Sequence, residues 1–146
     1  MSNIEFKNKY LKYKSKYFNL KNKKKINRKA LLILFGESFR LGGQYTRNKG
    51  SNESYNEQIA AAKTHLKFIN LLKEKNINLD VYITSYSTKF DNDIKEIYSP
   101  YLINSIFYKD LIIHKNPIYI HLKNSISKIS NIYSYDFILC MRIDIF

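Results

Sequence analysis

Along most of the chain, short apolar runs alternate with segments of helical periodicity. Residues 30–35 (ALLILF) form a continuous apolar run that ends at Gly36, a pattern typical of a buried parallel strand. Residues 79–86 (LDVYITSY) and 135–145 (YDFILCMRIDI) predict two more strands, and residues 105–108 predict a short one. Because strands that alternate with helices pair in parallel, we predict an α/β fold with an open, mostly parallel, Rossmann-like sheet of about four strands and flanking helices.

Three segments between these strands predict the helices. Ser54 and Glu57 have the spacing of a capping box, and apolar residues recur behind them at steps of three and four residues. Residues 91–98 predict a short helix. Asn116 and Pro117 supply a cap and a first-turn proline, which predict the start of another helix.

The first 29 residues differ from the rest of the chain in charge. They hold ten lysines and Arg28 against Glu5, a net charge of +10, whereas residues 30–146 carry a net charge of only +3. A basic amphipathic helix is predicted here, because its apolar residues recur on one helical face: Phe6, Tyr10, Tyr13, Tyr17 and Leu20. We therefore predict an arm and linker over residues 1–29 and one domain over residues 30–146. The apolar stripe either packs on the domain or binds an anionic surface, such as a membrane or a nucleic acid.

Cysteine content and hydropathy exclude several classes of protein. Cys140 is the only cysteine, which excludes an internal disulfide and a paired-cysteine metal or redox site. No apolar run approaches the roughly 18 residues that a membrane-spanning helix needs. The first 29 residues also lack the apolar centre of a signal peptide. We expect no transmembrane segment and a reducing, cytoplasmic compartment.

The glycines form the sharpest single signal. All four follow the first predicted strand within a short stretch: Gly36, Gly42, Gly43 and Gly50. Glycine permits positive φ and close backbone approach, and a loop between a strand and a helix can present N–H groups to phosphate. Glu37, Ser38 and Arg40 lie in the same loop, and arginine matches a diphosphate through a bidentate fork. The segment matches neither GxGxxG nor the P-loop, so a long turn that needs flexible residues is the alternative.

Polar residues also end the second and the last predicted strands. Residues 84–88 (TSYST), with Ser85 among them, either hydrogen-bond a base or ribose or start the next helix. Arg142 and Asp144 point to the same side of the last strand, because strand side chains alternate. Asp144 is a candidate ligand for Mn²⁺ or Mg²⁺, and an internal Arg142–Asp144 pair is the alternative. We assign no role to the histidines, His65, His114 and His121.

Several segments of the chain are similar to those of a known family, and the resemblance covers nearly the whole chain. The most specific segments are GESFR (residues 36–40), YDFI (135–138) and RID (142–144). The chain resembles glycosyltransferase-like proteins of giant DNA viruses. The resemblance implies the nucleotide-binding half of a GT-A fold, a nucleotide-sugar donor and a viral protein of the host cytoplasm or the virion. It places Gly36, Glu37 and Arg40 in the nucleotide loop. It places Arg142 and Asp144 at the DxD motif, which binds a metal ion and the donor diphosphate.

Two departures from that family shape the functional expectation. The motif reads Arg-Ile-Asp and lacks the first acid, and the chain ends at Phe146, before the acceptor-binding half. We therefore expect a shortened nucleotide-sugar-binding half that is inactive alone, or that works with a second copy or a partner chain along the open edge of the last strand. No catalytic residue is assigned.

Two other functions stay open. One is a non-catalytic protein attached through its basic arm to nucleic acid, membrane or a viral partner. The other is an SGNH-type esterase with Ser38 as nucleophile, although Asp110 and His114 stand one residue further apart than the Asp-x-x-His pair of that family.

Overall fold

The structure is a computed structural model that describes residues 7, 10–16, 27–41, 48–49, 51–109 and 117–144. Strands and helices alternate along the described part of the domain. In chain order they are β1 (Arg28–Gly36), β2 (Arg40–Leu41), β3 (Asn48–Lys49), α1 (Asn52–Glu74), β4 (Ile77–Tyr86), α2 (Asp91–Tyr98), β5 (Leu102–Tyr108), α3 (Pro117–Lys128), a 3-10 turn (Ile132–Ser134) and β6 (Phe137–Arg142).

Four of the strands form one parallel sheet in the order β5-β4-β1-β6. The short strands β2 and β3 pair antiparallel beside it. The chain builds the sheet outward from β1 in one direction, through β4 to β5, and then returns to the other side of β1 with β6. The predicted fold class is confirmed: the domain is α/β, with an open Rossmann-like sheet and flanking helices.

Helices cover both faces of the sheet. On one face, Leu32 and Leu34 of β1 belong to a core that includes residues of α1 and α2. On the other face, Leu31 and Ile33 pack with Leu122 of α3 and its neighbours. Since both faces of β1 are buried, its sequence reads as a continuous apolar run and does not alternate.

The boundaries differ from the predicted ones where local hydrogen bonds decide them. The capping box predicted at Ser54 is wrong, because α1 begins at Asn52 with Ser51 as its N-cap. The Ser51 hydroxyl accepts a hydrogen bond from Ser54 N at 3.1 Å, and Ser54 Oγ donates to Ser51 O at 2.8 Å. A serine one turn upstream thus caps the helix first. β5 is also longer than predicted, and the last strand ends at Arg142.

The N-terminal arm is helical over residues 10–16, where the sequence predicts an amphipathic helix. Every residue of this segment is exposed, Tyr10 and Tyr13 included. These two tyrosines therefore do not pack in the core of the domain. The other members of the predicted stripe, Phe6, Tyr17 and Leu20, lie outside the described residues.

β6 lies at one edge of the sheet that the described residues form, as the sequence predicts for the last strand. Its Ile138 and Cys140 stand in register with Leu31 and Ile33 of β1, yet both are exposed. A partner at this edge stays a prediction. No helix in the described ranges is long and apolar enough to cross a membrane.

Candidate functional site

The carboxyl ends of β1, β4 and β6 meet at one edge of the sheet. The sheet reverses its direction of growth between β1 and β6, and ligands of open α/β sheets bind in the crevice at such a point. Three described segments lie here: residues 36–40 from the last residue of β1, residues 85–88 at the end of β4, and residues 142–144 at the end of β6. β5 ends at the same edge with Tyr108. All six predicted site residues lie in these three segments.

The segment after β1 is held in an uncommon backbone conformation. Gly36 has φ of 121°, and Phe39, a bulky residue, has φ of 53°. The Phe39 ring is fully buried and stacks on the Tyr55 ring, with 5.6 Å between the ring centroids. Its centroid also lies 5.0 Å from the centroid of the Phe90 ring. Packing of this ring fixes the segment to α1 and to the start of α2. Gly42, Gly43 and Gly50 lie outside the described residues.

A buried amide joins the segments that follow β1 and β6. Phe39 N donates to Gln58 Oε1 at 3.0 Å, and Gln58 Nε2 donates to Ile143 O at 2.7 Å. Gln58 lies on α1 and is itself buried. Sequence reasoning missed this residue, because nothing in a helical sequence indicates that two distant loops will meet on one amide.

Ser85, a predicted nucleotide contact, forms two hydrogen bonds with Ser38 of the segment after β1. Ser38 N donates to Ser85 Oγ at 2.8 Å, and Ser85 Oγ donates to Ser38 Oγ at 2.8 Å. Both serines are buried. Ser38 Oγ therefore has a serine as its neighbour where an esterase nucleophile needs a histidine. Asp110 and His114, which that hypothesis invokes, lie outside the described residues.

The hydroxyls of Ser87 and Thr88 also form hydrogen bonds within the protein, both to Asp91 of α2. Thr88 N donates to Asp91 Oδ1 at 2.8 Å, and Ser87 Oγ donates to Asp91 Oδ2 at 2.6 Å. Both residues precede the N-cap of α2, Phe90, and bind its first residue, as the helix-start interpretation expects.

Four charged side chains meet at this edge. Arg142 donates twice to Asp144, from Nε to Oδ1 at 2.9 Å and from Nη2 to Oδ2 at 2.6 Å. Arg40 Nη1 lies 3.6 Å from Glu37 Oε2. The hydrogen bonds to Asp144 raise the pKa of Arg142 against the opposing effect of burial, and the charges of Asp144 and Glu37 add to the rise. The internal Arg142–Asp144 pair, named as an alternative from the sequence, is therefore present.

These residues do not provide the usual donor set of a divalent cation. Both oxygens of Asp144 bind the Arg142 guanidinium, so a cation there would have to displace it. Within the described ranges, no three His, Cys, Asp or Glu residues come together as metal ligands do. Among the described residues of the three segments, Arg40 and Arg142 carry positive charge.

His121 of α3 is the second residue that the sequence analysis missed. It is 2 % exposed and lies edge-on between two rings, with centroids 4.9 Å from Tyr86 and 5.1 Å from Tyr108. Its Nδ1 lies 3.3 Å from Thr84 Oγ1, while its Nε2 is buried and has no hydrogen-bond partner among the described residues.

Burial lowers the pKa of His121, and the negative charge of Glu37 opposes that shift. The imidazole is accordingly neutral near pH 7, and the charge of Glu37 acts on it. One signal could have found it: the helix that precedes the last strand begins at the same sheet edge, and His121 shares a helical face with the buried Ser125.

Comparison with protein-family models, with curated proteins and with solved structures found no match to this chain.

Proposed function

We propose that this protein binds a nucleotide-sugar at the carboxyl edge of its sheet, as the donor-binding half of a glycosyltransferase-like protein. The observation that carries the proposal is the pair of guanidinium groups, Arg40 and Arg142, at the reversal point of a Rossmann-like sheet. The resemblance described from the sequence supports the same class of ligand. No catalytic step is assigned to any residue.

The charges at the site favour a ligand that carries both phosphates and hydroxyls. A diphosphate accepts bidentate hydrogen bonds from arginine, and Arg142 is the more accessible of the two, with its side chain 33 % exposed. Glu37 and Asp144 can in turn accept hydrogen bonds from the hydroxyls of a ribose or a sugar. On binding, Arg40 and Arg142 would leave Glu37 and Asp144 and contact the phosphates of the ligand. The two carboxylates would contact its hydroxyls.

Rigid support of the site also favours binding. Gln58 and Ser85 tie the segment after β1 to Ile143 and to β4 through buried hydrogen bonds. Since these hydrogen bonds hold Ser38 and Phe39 in place before the ligand arrives, little conformational entropy is lost in this segment on binding.

A thermal-shift experiment tests the proposal with UDP-, GDP- and CMP-sugars, each with and without Mn²⁺. A ligand at 100 times its Kd stabilises the folded state by about 2.7 kcal/mol, which raises Tm by about 5–10 °C for a chain of this size. We expect such a shift for at least one donor. We expect Arg142→Gln to remove it, while Arg28→Gln, at the opposite end of β1, keeps it.

The variant Asp144→Asn separates binding through arginine from binding through a metal ion. If the guanidinium holds the diphosphate, the variant frees Arg142 from its partner and the ligand-induced shift stays or increases. If a metal ion on Asp144 holds the diphosphate, the shift needs Mn²⁺ and disappears in the variant. A wild-type chain that responds to none of the donors would refute the proposed function.

A further inference from the structure

The helix over residues 10–16 exposes apolar side chains that domain helices usually bury. Tyr10 is 56 % exposed, Leu11 52 % and Tyr13 63 %. Single exposed apolar residues are common on protein surfaces, but here three lie within four positions. This helix therefore presents an apolar surface to its surroundings.

Lysines border the part of that surface that Tyr10 and Tyr13 form, from which Lys14 separates Leu11. Tyr10 and Tyr13 lie about 60° apart around the helix axis, with Lys14 on one side of them and Lys16 on the other. Lys14 Nζ lies 5.8 Å from the centroid of the Tyr10 ring. The segment has no acidic residue, and residues 1–29 together carry +10. A partner that binds this helix must accommodate aromatic rings and positive charges on the same side of the helix.

A bilayer that contains anionic lipids fits this arrangement. Tyrosine favours the boundary between headgroups and acyl chains, where one end of its ring is apolar and the other is wet. Lysine stems extend along the rings while the ammonium groups reach lipid phosphates. All three charges of the helix are lysines, whereas the planar fork of arginine is better suited to recognise nucleic acid phosphates and bases.

We propose that the helix over residues 10–16 docks this protein on membranes that contain anionic lipids, with Tyr10 and Tyr13 at the headgroup level and the lysines on lipid phosphates. The proposal concerns a different part of the chain from the nucleotide-sugar site and does not depend on it.

Co-sedimentation of the full chain with vesicles tests the proposal. We expect binding to phosphatidylcholine vesicles that contain phosphatidylserine, weaker binding at higher salt, and little binding to phosphatidylcholine alone. Each lysine near such a surface contributes about fivefold to the partition coefficient, so replacing Lys12, Lys14 and Lys16 with glutamine should lower it by at least tenfold. Tyr10→Ser with Tyr13→Ser should also lower it, with the charge unchanged.

The matched control removes the same charge from α1. Lys63, Lys67 and Lys73 are exposed there, and their replacement by glutamine should leave vesicle binding near the wild-type value. Equal losses in the two lysine triples would mean that only net charge matters, which overturns docking through this helix. Full binding by the tyrosine variant would overturn it as well.

A second probe addresses nucleic acid. Fluorescence anisotropy with a labelled poly(U) RNA is measured at the same salt concentrations. Binding to the RNA without binding to phosphatidylserine vesicles would overturn the proposal and identify nucleic acid as the occupant. The Tm of each variant, measured alongside, shows that the domain is still folded.

Discussion

Replacing Gln58 with methionine should destabilise the domain through two backbone groups at the candidate site. The substitution keeps the length of the side chain but removes the acceptor for Phe39 N and the donor for Ile143 O, which lie at 3.0 and 2.7 Å from the amide. Phe39 and Ile143 are both fully buried, so water does not readily replace the lost partner.

The expected loss follows from the cost of each group. An unsatisfied buried donor or acceptor costs about 1–3 kcal/mol, so two of them cost about 2–6 kcal/mol. Removing the buried amide of Gln58 returns about 1–2 kcal/mol, since its own desolvation is no longer needed. We expect a net loss of about 3 kcal/mol in the free energy of unfolding, equivalent to about 6–12 °C in Tm at this chain length.

Urea denaturation followed by circular dichroism measures the free energy of unfolding directly. Asn56→Met is the matched control, because Asn56 is exposed on the same helix and should change stability by less than about 0.5 kcal/mol. A loss below about 1 kcal/mol in Gln58→Met, or a loss equal to that of the control, would refute the claim that this amide holds the two segments together.

Gln58→Glu adds a test with a distinct pH dependence. The carboxylate still accepts from Phe39 N but cannot donate to Ile143 O. Protonation restores a donor, so the loss relative to wild type should shrink as the pH falls. A loss that grows at low pH would contradict this assignment of the two hydrogen bonds.

Three further predictions concern single groups. Tyr82→Phe should leave Tm unchanged or raise it, because the Tyr82 hydroxyl is buried without a partner among the described residues. Tyr98→Phe should lower the free energy of unfolding by about 1–2 kcal/mol, since it removes the 2.7 Å hydrogen bond to His65 Nδ1. Equal effects of the two substitutions in thermal melts would contradict this. Gly36→Ala should cost about 1–3 kcal/mol through its φ of 121° alone, as the added Cβ would meet only ordinary contacts, and a neutral result in urea denaturation would show that the loop relaxes. Burial lowers the pKa of His121, so the unfolded chain takes up a proton at this residue more readily than the folded chain does. The stability of wild type relative to His121→Phe should therefore fall as the pH drops below 6.5, the ordinary pKa of histidine. A stability difference that does not change across that pH range would argue against a buried neutral imidazole.

The strands and helices were largely predictable because local periodicity sets them. The apolar run of residues 30–35 lies within β1, and the pattern of residues 91–98 coincides with α2. The start of α1 was not predictable, since Ser51 and Ser54 are both good caps and only the hydrogen bonds of the folded chain select Ser51. Sequence reasoning is weakest where two local signals of equal strength compete.

The candidate site was predictable in part, for the same reason. Residues at or shortly after the carboxyl ends of β1 and β6, such as Gly36, Arg40 and Asp144, could be assigned to one edge because parallel strands end together. Gln58 and His121 could not, because both lie within helices and their contacts depend on which strand each helix covers. Both helical residues reach the site only through contacts with strands and loops far away in the chain.

The amino-acid order was sufficient to establish an α/β chain with a basic arm and a polar edge on its sheet, because hydrophobic periodicity, glycine placement and charge are local properties. Folding alone placed β6 beside β1 and Gln58 between residues 39 and 143. The Arg142–Asp144 pair was one of two interpretations that the sequence left open, and only the folded chain shows it formed. The physical reason is that strand order and side-chain pairing follow from how the apolar faces of α1, α2 and α3 are buried together, and that burial involves the whole domain at once.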